Sequence, residues 1–166
     1  SYVTSSNLSA NLANYVTTAS LTGNTSFGNV VVTNTLTVSN TVFATSINEN
    51  FLTYSTAISG SPTVTFDCAN GNIWNVTSSI SSNWTANFTN LALSTGYSTG
   101  TTLIVNQGAT AYIPSAIQVE STSATINWQG GATPTGSANK KDVFAFSIMQ
   151  TGASTYLVLG QLVTFG

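Results

Sequence analysis

Histidine is absent from this chain, cysteine occurs once, and of 166 residues only Lys140, Lys141, Glu49, Asp67, Glu120 and Asp142 carry a charge. An ordinary soluble domain charges about a quarter of its residues. Each shortage closes off a class of chemistry. Without histidine, Ser-His-Asp and Cys-His arrangements and histidine-bearing metal sites cannot be built. The single Cys68 rules out an intrachain disulfide and reads as a small buried apolar residue. Two adjacent lysines are too few to displace the counterions of a nucleic acid, so no nucleic-acid partner is expected. Four dispersed carboxylates form no acid-rich calcium loop, and no glycine-rich phosphate loop accompanies them. No apolar run approaches the roughly 18 residues of a membrane span, so no membrane insertion is expected. No cofactor is implied.

What replaces charge is hydroxyl and amide. The chain holds 29 Thr, 23 Ser and 18 Asn, which together account for 70 residues. Disorder would require low hydrophobicity as well as polarity. Here 42% of residues are apolar and 10% aromatic, enough to bury a core. Thr, Val, Ile, Phe, Tyr and Trp fit a pleated, half-buried surface, whereas Glu, Lys, Arg and Gln, the usual surface-helix formers, are scarce. The chain therefore reads as all-β. A net charge of −2 gives almost no long-range field. The composition argues for a rigid extracellular β object and against an enzyme.

Two regions differ in rhythm: a repetitive segment over 1–50 and a compact domain over 51–166. Ser1 follows no initiator Met, so the sequence reads as a fragment or a processed form. Within 1–29, Tyr2-Val3-Thr4 recurs as Tyr15-Val16-Thr17, and Leu8, Leu12 and Tyr15 fall at helical spacing. Over 30–50 a six-residue step relates Asn34 to Asn40, Leu36 to Val42, and Val32 to Val38 and Ala44. Such a hexad suits a β-helical or β-prism shaft, in which every sixth residue returns to the same position around the axis. A stretch this short cannot form a solenoid alone, because each coil needs stacked neighbours. Three chains wound together would bury Val32, Leu36, Val38 and Val42 around one axis, which gives a homotrimer a physical reason. An ordinary amphipathic hairpin is the alternative.

In the second region, strands are predicted over 63–67, 73–77, 84–91, 101–106, 116–119, 124–128, 143–149 and 155–164. Trp84, Ala86 and Phe88 alternate with Thr85, Asn87 and Thr89, as Phe144, Phe146 and Ile148 do with Ala145 and Ser147. One face is then buried and one wet. Asn70-Gly71, Ser59-Gly60-Ser61-Pro62, Gly130-Gly131 and Thr151-Gly152 supply turns between them. This punctuation predicts a β-sandwich or jelly-roll-like head.

From Pro62 onward the order of features is specific. Asp67-Cys68-Ala69-Asn70-Gly71-Asn72-Ile73-Trp74 is followed by Tyr112-Ile113-Pro114-Ser115-Ala116-Ile117. Then come Trp128-Gln129-Gly130-Gly131-Ala132-Thr133-Pro134-Thr135 and Asn139-Lys140-Lys141-Asp142-Val143-Phe144-Ala145-Phe146. This stretch resembles the C-terminal domain of tail-fibre-like virion proteins of tailed phages, particularly of marine cyanophages. The chain departs from that pattern at 118–127, an extra stretch between parts that usually lie closer. The resemblance implies a fibre on the virion surface, in an extracellular setting, with a receptor-binding context and other virion proteins joined through an N-terminal part. It marks no catalytic site. Physically, Gly130-Gly131 suits a tight turn or bulge, Pro134 fixes its exit, and Asn139 and Asp142 suit local side-chain-to-backbone bonds.

Candidate binding residues are aromatics set among small polar groups, because sugars stack on rings and hydrogen-bond to hydroxyls and amides. The loop Ser94-Thr95-Gly96-Tyr97-Ser98-Thr99-Gly100 has that character, and Tyr112 is a second candidate. Trp74, Trp84 and Trp128 lie in or beside predicted strands and read as core. Glycoside hydrolysis would need two carboxylates flanking the bond, such as Glu49 with Glu120 or Asp67 with Asp142. Their spacing favours neither pair. Five Asn-x-Ser/Thr sequons, at Asn7, Asn24, Asn75, Asn83 and Asn87, are what this composition yields by chance. The expectation is a non-enzymatic adhesin that contacts a host-surface glycan or protein. A purely structural fibre or decoration protein is the alternative, and a glycan-hydrolysing tailspike the remote third.

Overall fold

The computed structural model describes residues 31–32, 36, 38 and 41–166. The Tyr-Val-Thr repeat within 1–29 and the hexad asparagines Asn34 and Asn40 lie outside the described residues. The chain divides into two units, Ser1–Thr45 and Ser46–Gly166. All ten strands of the described residues fall in the second: β1 (Phe51–Tyr54), β2 (Thr63–Asp67), β3 (Ile73–Val76), β4 (Trp84–Thr89), β5 (Ser98–Asn106), β6 (Pro114–Val119), β7 (Thr122–Ala124), β8 (Ile126–Trp128), β9 (Lys141–Gly152) and β10 (Thr155–Phe165). Nine of them answer to the eight predicted segments, with 124–128 divided between β7 and β8. β1 and the extension of β9 back to Lys141 were not anticipated.

The unit is all-β and sandwich-like. A six-stranded sheet runs β1-β3-β5-β9-β10-β8 and a four-stranded sheet runs β2-β4-β6-β7. Turn chemistry alone suggests antiparallel hairpins, yet the first six strands pair in parallel. Phe51 faces Ile73, Thr63 faces Thr85, and the lone bridge joins Ile58 to Ile80. All three partners stand 22 positions apart. The chain thus winds as a coil, returning to the same sheet once per turn, and a third turn adds β5 and β6. The period is written in the sequence as Ile58/Ile80, Ser59/Ser81, Thr63/Thr85 and Phe66/Phe88. Identical residues stack because a parallel ladder places equal positions side by side, and Phe66 and Phe88 stack at 5.6 Å and 30°.

Carried one period upstream in the sequence, the inward positions Leu52, Tyr54, Ile58, Val64 and Phe66 fall on Val30, Val32, Leu36, Val42 and Ala44. The apolar pattern therefore continues ahead of β1. Val32, Leu36, Val38 and Val42, the predicted shaft core, are all exposed in the single chain and belong to neither sheet.

The core lies between the two sheets and is strongly aromatic. Phe66 meets Tyr54, Trp74 and Trp84 as well as Phe88, with ring centroids 5.3–5.8 Å apart. Trp128 packs on Phe144 and Phe146. Trp74 and Trp84 are buried as expected, and Trp128 is half-buried. Full burial of each such ring contributes roughly 2–3 kcal/mol.

The stretch 118–127 folds as a hairpin between β6 and β7. Its two-residue turn, Glu120-Ser121, has φ of 49° and 63°, the left-handed pair of a type I′ turn. β8 then crosses to the other sheet and pairs with β10. The hairpin of β9 and β10 closes the six-stranded sheet by adding β9 antiparallel to β5.

Candidate functional site

The two candidate tyrosines occupy the two loops in which the third turn of the coil outgrows the 22-residue period. Asp67 leads to Ile73 in six steps, but the equivalent Thr89 leads to Thr102 in thirteen, and the surplus forms the loop ahead of β5. Tyr97 closes that loop. The segment from β5 to β6 is longer by two, and Tyr112 sits there.

Tyr97 is 69% exposed, and its backbone is held on both sides. Its amide donates to the Ser94 carbonyl at 3.0 Å, and its carbonyl accepts from the Gln150 amide at 3.0 Å. The Gly96 amide in turn donates to the Gln150 carbonyl at 2.8 Å. Gln150 is paired with Tyr156 across the next strand. Tyr97, Gln150 and Tyr156 therefore form one cross-strand row at the end of the six-stranded sheet. By strand alternation the row continues the inward face, and Tyr156 packs against the core while Tyr97 emerges from it. The Gln150 side chain donates from Nε2 to the Gly152 carbonyl at 3.2 Å, which orients its amide. Sequence reasoning found Tyr97 and missed Gln150 and Tyr156, because only the β9–β10 register brings them beside it.

Tyr112 belongs to a different place. Its amide donates to Gln107 Oε1 at 3.0 Å and its carbonyl accepts from Gln107 Nε2 at 2.9 Å, so the loop is tied to the residue after β5. Tyr97 precedes β5 and Gln107 follows it, and nine residues of strand span about 30 Å. The two tyrosines do not form one site.

The carboxylates come together differently from either pair that hydrolysis would need. Asp67 Oδ1 accepts from Asn90 Nδ2 at 2.9 Å, while Glu120 accepts from the amides of Asn90 and Leu91 at 3.1 and 2.9 Å. Asp67 also takes the Ala69 amide and the Asn70 side chain. Asp67 and Glu120 thus meet around Asn90, where their oxygens hold turns. Between them Cys68 is half-buried, and its thiol is pushed up to about 12 by burial first and by the two carboxylates second. Asp142 stands apart and is fully buried, accepting from Gln107 Nε2, the Ser137 amide and Thr164 Oγ1 at 3.0, 2.8 and 2.7 Å. Glu49 is exposed ahead of β1.

Of the sequon asparagines in described positions, Asn75 and Asn83 accept from Asn106 Nδ2 and the Ile113 amide. Asn87 is buried, donating to Thr65 and Ser121 and accepting the Ser121 amide. Among the described residues no group of three or more Cys, Asp or Glu side chains could hold a metal ion. A depression of about 570 Å³ lies on the outer face of the six-stranded sheet, and neither tyrosine lines it. We give Tyr97 more weight as a binding residue, because an exposed ring beside an oriented amide offers both stacking and hydrogen bonding.

No protein-family model, no curated protein and no solved structure matches this chain.

Proposed function

We propose that the chain is part of a non-enzymatic adhesin of the tail-fibre type, on a virion surface, whose β domain contacts a neutral glycan of the host cell surface. The observation that carries this reading is the row of Tyr97, Gln150 and Tyr156. It sets an exposed ring beside an amide on a rigid sheet, with none of the three charged. Neutral sugars present C–H faces to stack on rings and hydroxyls to bond amides, and they need no ionic partner. The chain is held as a homotrimer through the apolar residues ahead of β1, and joins other virion proteins through its N-terminal side. Weak sites repeated on one particle reach useful avidity without any single strong contact.

A purely structural fibre or decoration protein is the second reading. What favours it is that Asp67, Glu120, Asp142 and Asn87 spend their polar atoms on the chain's own turns. Binding of the purified chain to immobilised neutral polysaccharides and to cyanobacterial cells separates the two. The adhesin reading expects retention on at least one surface and a tenfold or greater loss with Tyr97→Ala. No retention anywhere, or retention unchanged by Tyr97→Ala and Tyr156→Ala, favours the structural reading.

A further inference from the structure

The two sheets are dressed in opposite ways on their outer faces. The outer positions of β2, β4 and β6 are polar except for the small Ala116: Thr63, Thr65, Asp67, Thr85, Asn87, Thr89 and Gln118 suit water or a polar neighbour. On the six-stranded sheet the same alternation turns out Phe51, Leu157, Leu159, Val163 and Phe165, each 40–63% exposed. Between them Ile73, Ile104, Val143 and Met149 occupy further outer positions and are half-buried by these neighbours. Scattered surface apolar residues need no explanation, but apolar rows gathered on one sheet face only, Ile104-Val143-Val163 and Met149-Leu157 on either side of a middle of small and polar residues, do.

We infer that the outer face of the six-stranded sheet is an interface, and that its occupant is a second copy of this chain. Three observations select that occupant. First, the face is almost uncharged. Its one ionic group, Lys141, stands at the first position of β9, where its Nζ donates to Asn106 Oδ1 at 3.1 Å, so the rest of the face can meet itself without like-charge repulsion. It also offers nothing to steer a charged partner. Second, the face has relief. Gly100, Ala145 and Ser147 are small and floor the depression of about 570 Å³, while the Leu157 and Val163 positions stand to either side. Ridges of one copy can enter the trough of another, as in packed β-sheets. Third, the area is sufficient. Strands about 4.8 Å apart, nine residues long at the centre and four at the β1 side, give roughly 600 Å² per copy. Two copies then bury roughly 1,200 Å², the lower edge of the range for specific, stable interfaces.

The inference does not rest on glycan binding, because a chain that binds no sugar can still self-associate. It also places the contact on the folded domain, apart from Val32, Leu36, Val38 and Val42. Light scattering on the full chain tests it. At 20 µM the wild type is expected at a multiple of its 17.2 kDa mass. Leu159→Asp and Val163→Lys are each expected to lower that mass at least twofold, and to the single-chain mass when combined with Leu36→Asp, while tryptophan fluorescence stays native, since both side chains are exposed in the single chain. Thr65→Asp, on the other sheet's outer face, is expected to leave the mass alone. Hydroxyl-radical footprinting of the wild type across the same concentrations keeps the test decisive should a variant misfold. Protection is expected at Leu157, Leu159, Val163 and Phe165. A single-chain wild type overturns the inference and leaves the face to a different partner. So does a mass that responds only to Leu36→Asp or Val42→Asp, or protection confined to the four-stranded sheet.

Discussion

Asp142 is the one carboxylate with no exposure to water, and replacing it tests the account of how this domain spends its few charges. Its Oδ2 accepts from Gln107 Nε2 and the Ser137 amide, and its Oδ1 from Thr164 Oγ1. Three donors from β10, the loop after β5 and the loop before β9 converge on it, so one side chain ties three segments. Hydrogen bonds to a charged group are worth about 1.5–3 kcal/mol each, and an orphaned buried donor costs about 1–3 kcal/mol. Asp142→Ala removes the acceptor of the Ser137 amide and one of the two acceptors of Gln107 Nε2, which keeps the Tyr112 carbonyl, while the Thr164 hydroxyl can turn to Ser137 Oγ, 3.0 Å away. The expected loss is about 3–5 kcal/mol, the range for breaking a buried charged network. Asp142→Asn is different. Its amide oxygen can take the Oδ2 position and keep Gln107 and Ser137, while its nitrogen donates to the Thr164 hydroxyl, which can accept. The expected loss is then only about 1–2 kcal/mol. Urea unfolding of the full chain, followed by tryptophan fluorescence, reads both. A loss under about 0.5 kcal/mol for Asp142→Ala, the scatter of ordinary surface changes, refutes the argument. A loss for Asp142→Asn equal to that for Asp142→Ala refutes the rotation of Thr164.

Four further outcomes follow from the same packing. At Gly160 a Cβ would lie 2.7 Å from Ile126 Cγ2 and 2.9 Å from the Trp128 ring, so Gly160→Ala should cost about 1–3 kcal/mol in thermal unfolding, whereas Gly108→Ala, with nothing within 4 Å, should cost under about 0.5 kcal/mol. Asn87→Ala leaves the Ser121 amide without its acceptor and should cost about 1–3 kcal/mol by denaturant titration, with the Glu120-Ser121 turn becoming faster in amide exchange. Cys68 is protonated far above the usual thiol range when folded, so native protein at pH 8 should react with iodoacetamide at least about tenfold more slowly than protein in 6 M guanidinium. The raised value also sets a sign for stability. The unfolded thiol ionises first as pH climbs past 9.0, which favours unfolding up to about 12, so Cys68→Ser should flatten the loss of stability over that window and change nothing below it.

How much was legible can be judged residue by residue. The alternation of Trp84, Ala86 and Phe88 against Thr85, Asn87 and Thr89 placed β4 within two residues, because a strand that buries one face must alternate. β1 was missed because Phe51-Leu52-Thr53-Tyr54 is only four residues long and acquires its assignment from pairing with β3. The 22-residue period was present as Ile58/Ile80 and Phe66/Phe88, but so few identities do not stand out in a chain dominated by Thr, Ser and Asn. Tyr97 was found by its setting, an aromatic ring among small polar residues. Gln150 and Tyr156 carried no such mark.

The sequence by itself determined what is local or additive: an all-β chain, an uncharged hydroxyl and amide surface, and the loss of histidine-based chemistry. It needed only composition and period, since a residue's propensity and its alternation act within a few positions. Tertiary structure decided what depends on which distant strands meet. It chose parallel coils over hairpins, buried Asp142 while leaving Glu120 to cap a turn, and separated Tyr97 from Tyr112 by the length of β5. It also gave the two sheets unlike outer faces, through a register in which a shift of one residue would exchange every inward side chain for an outward one.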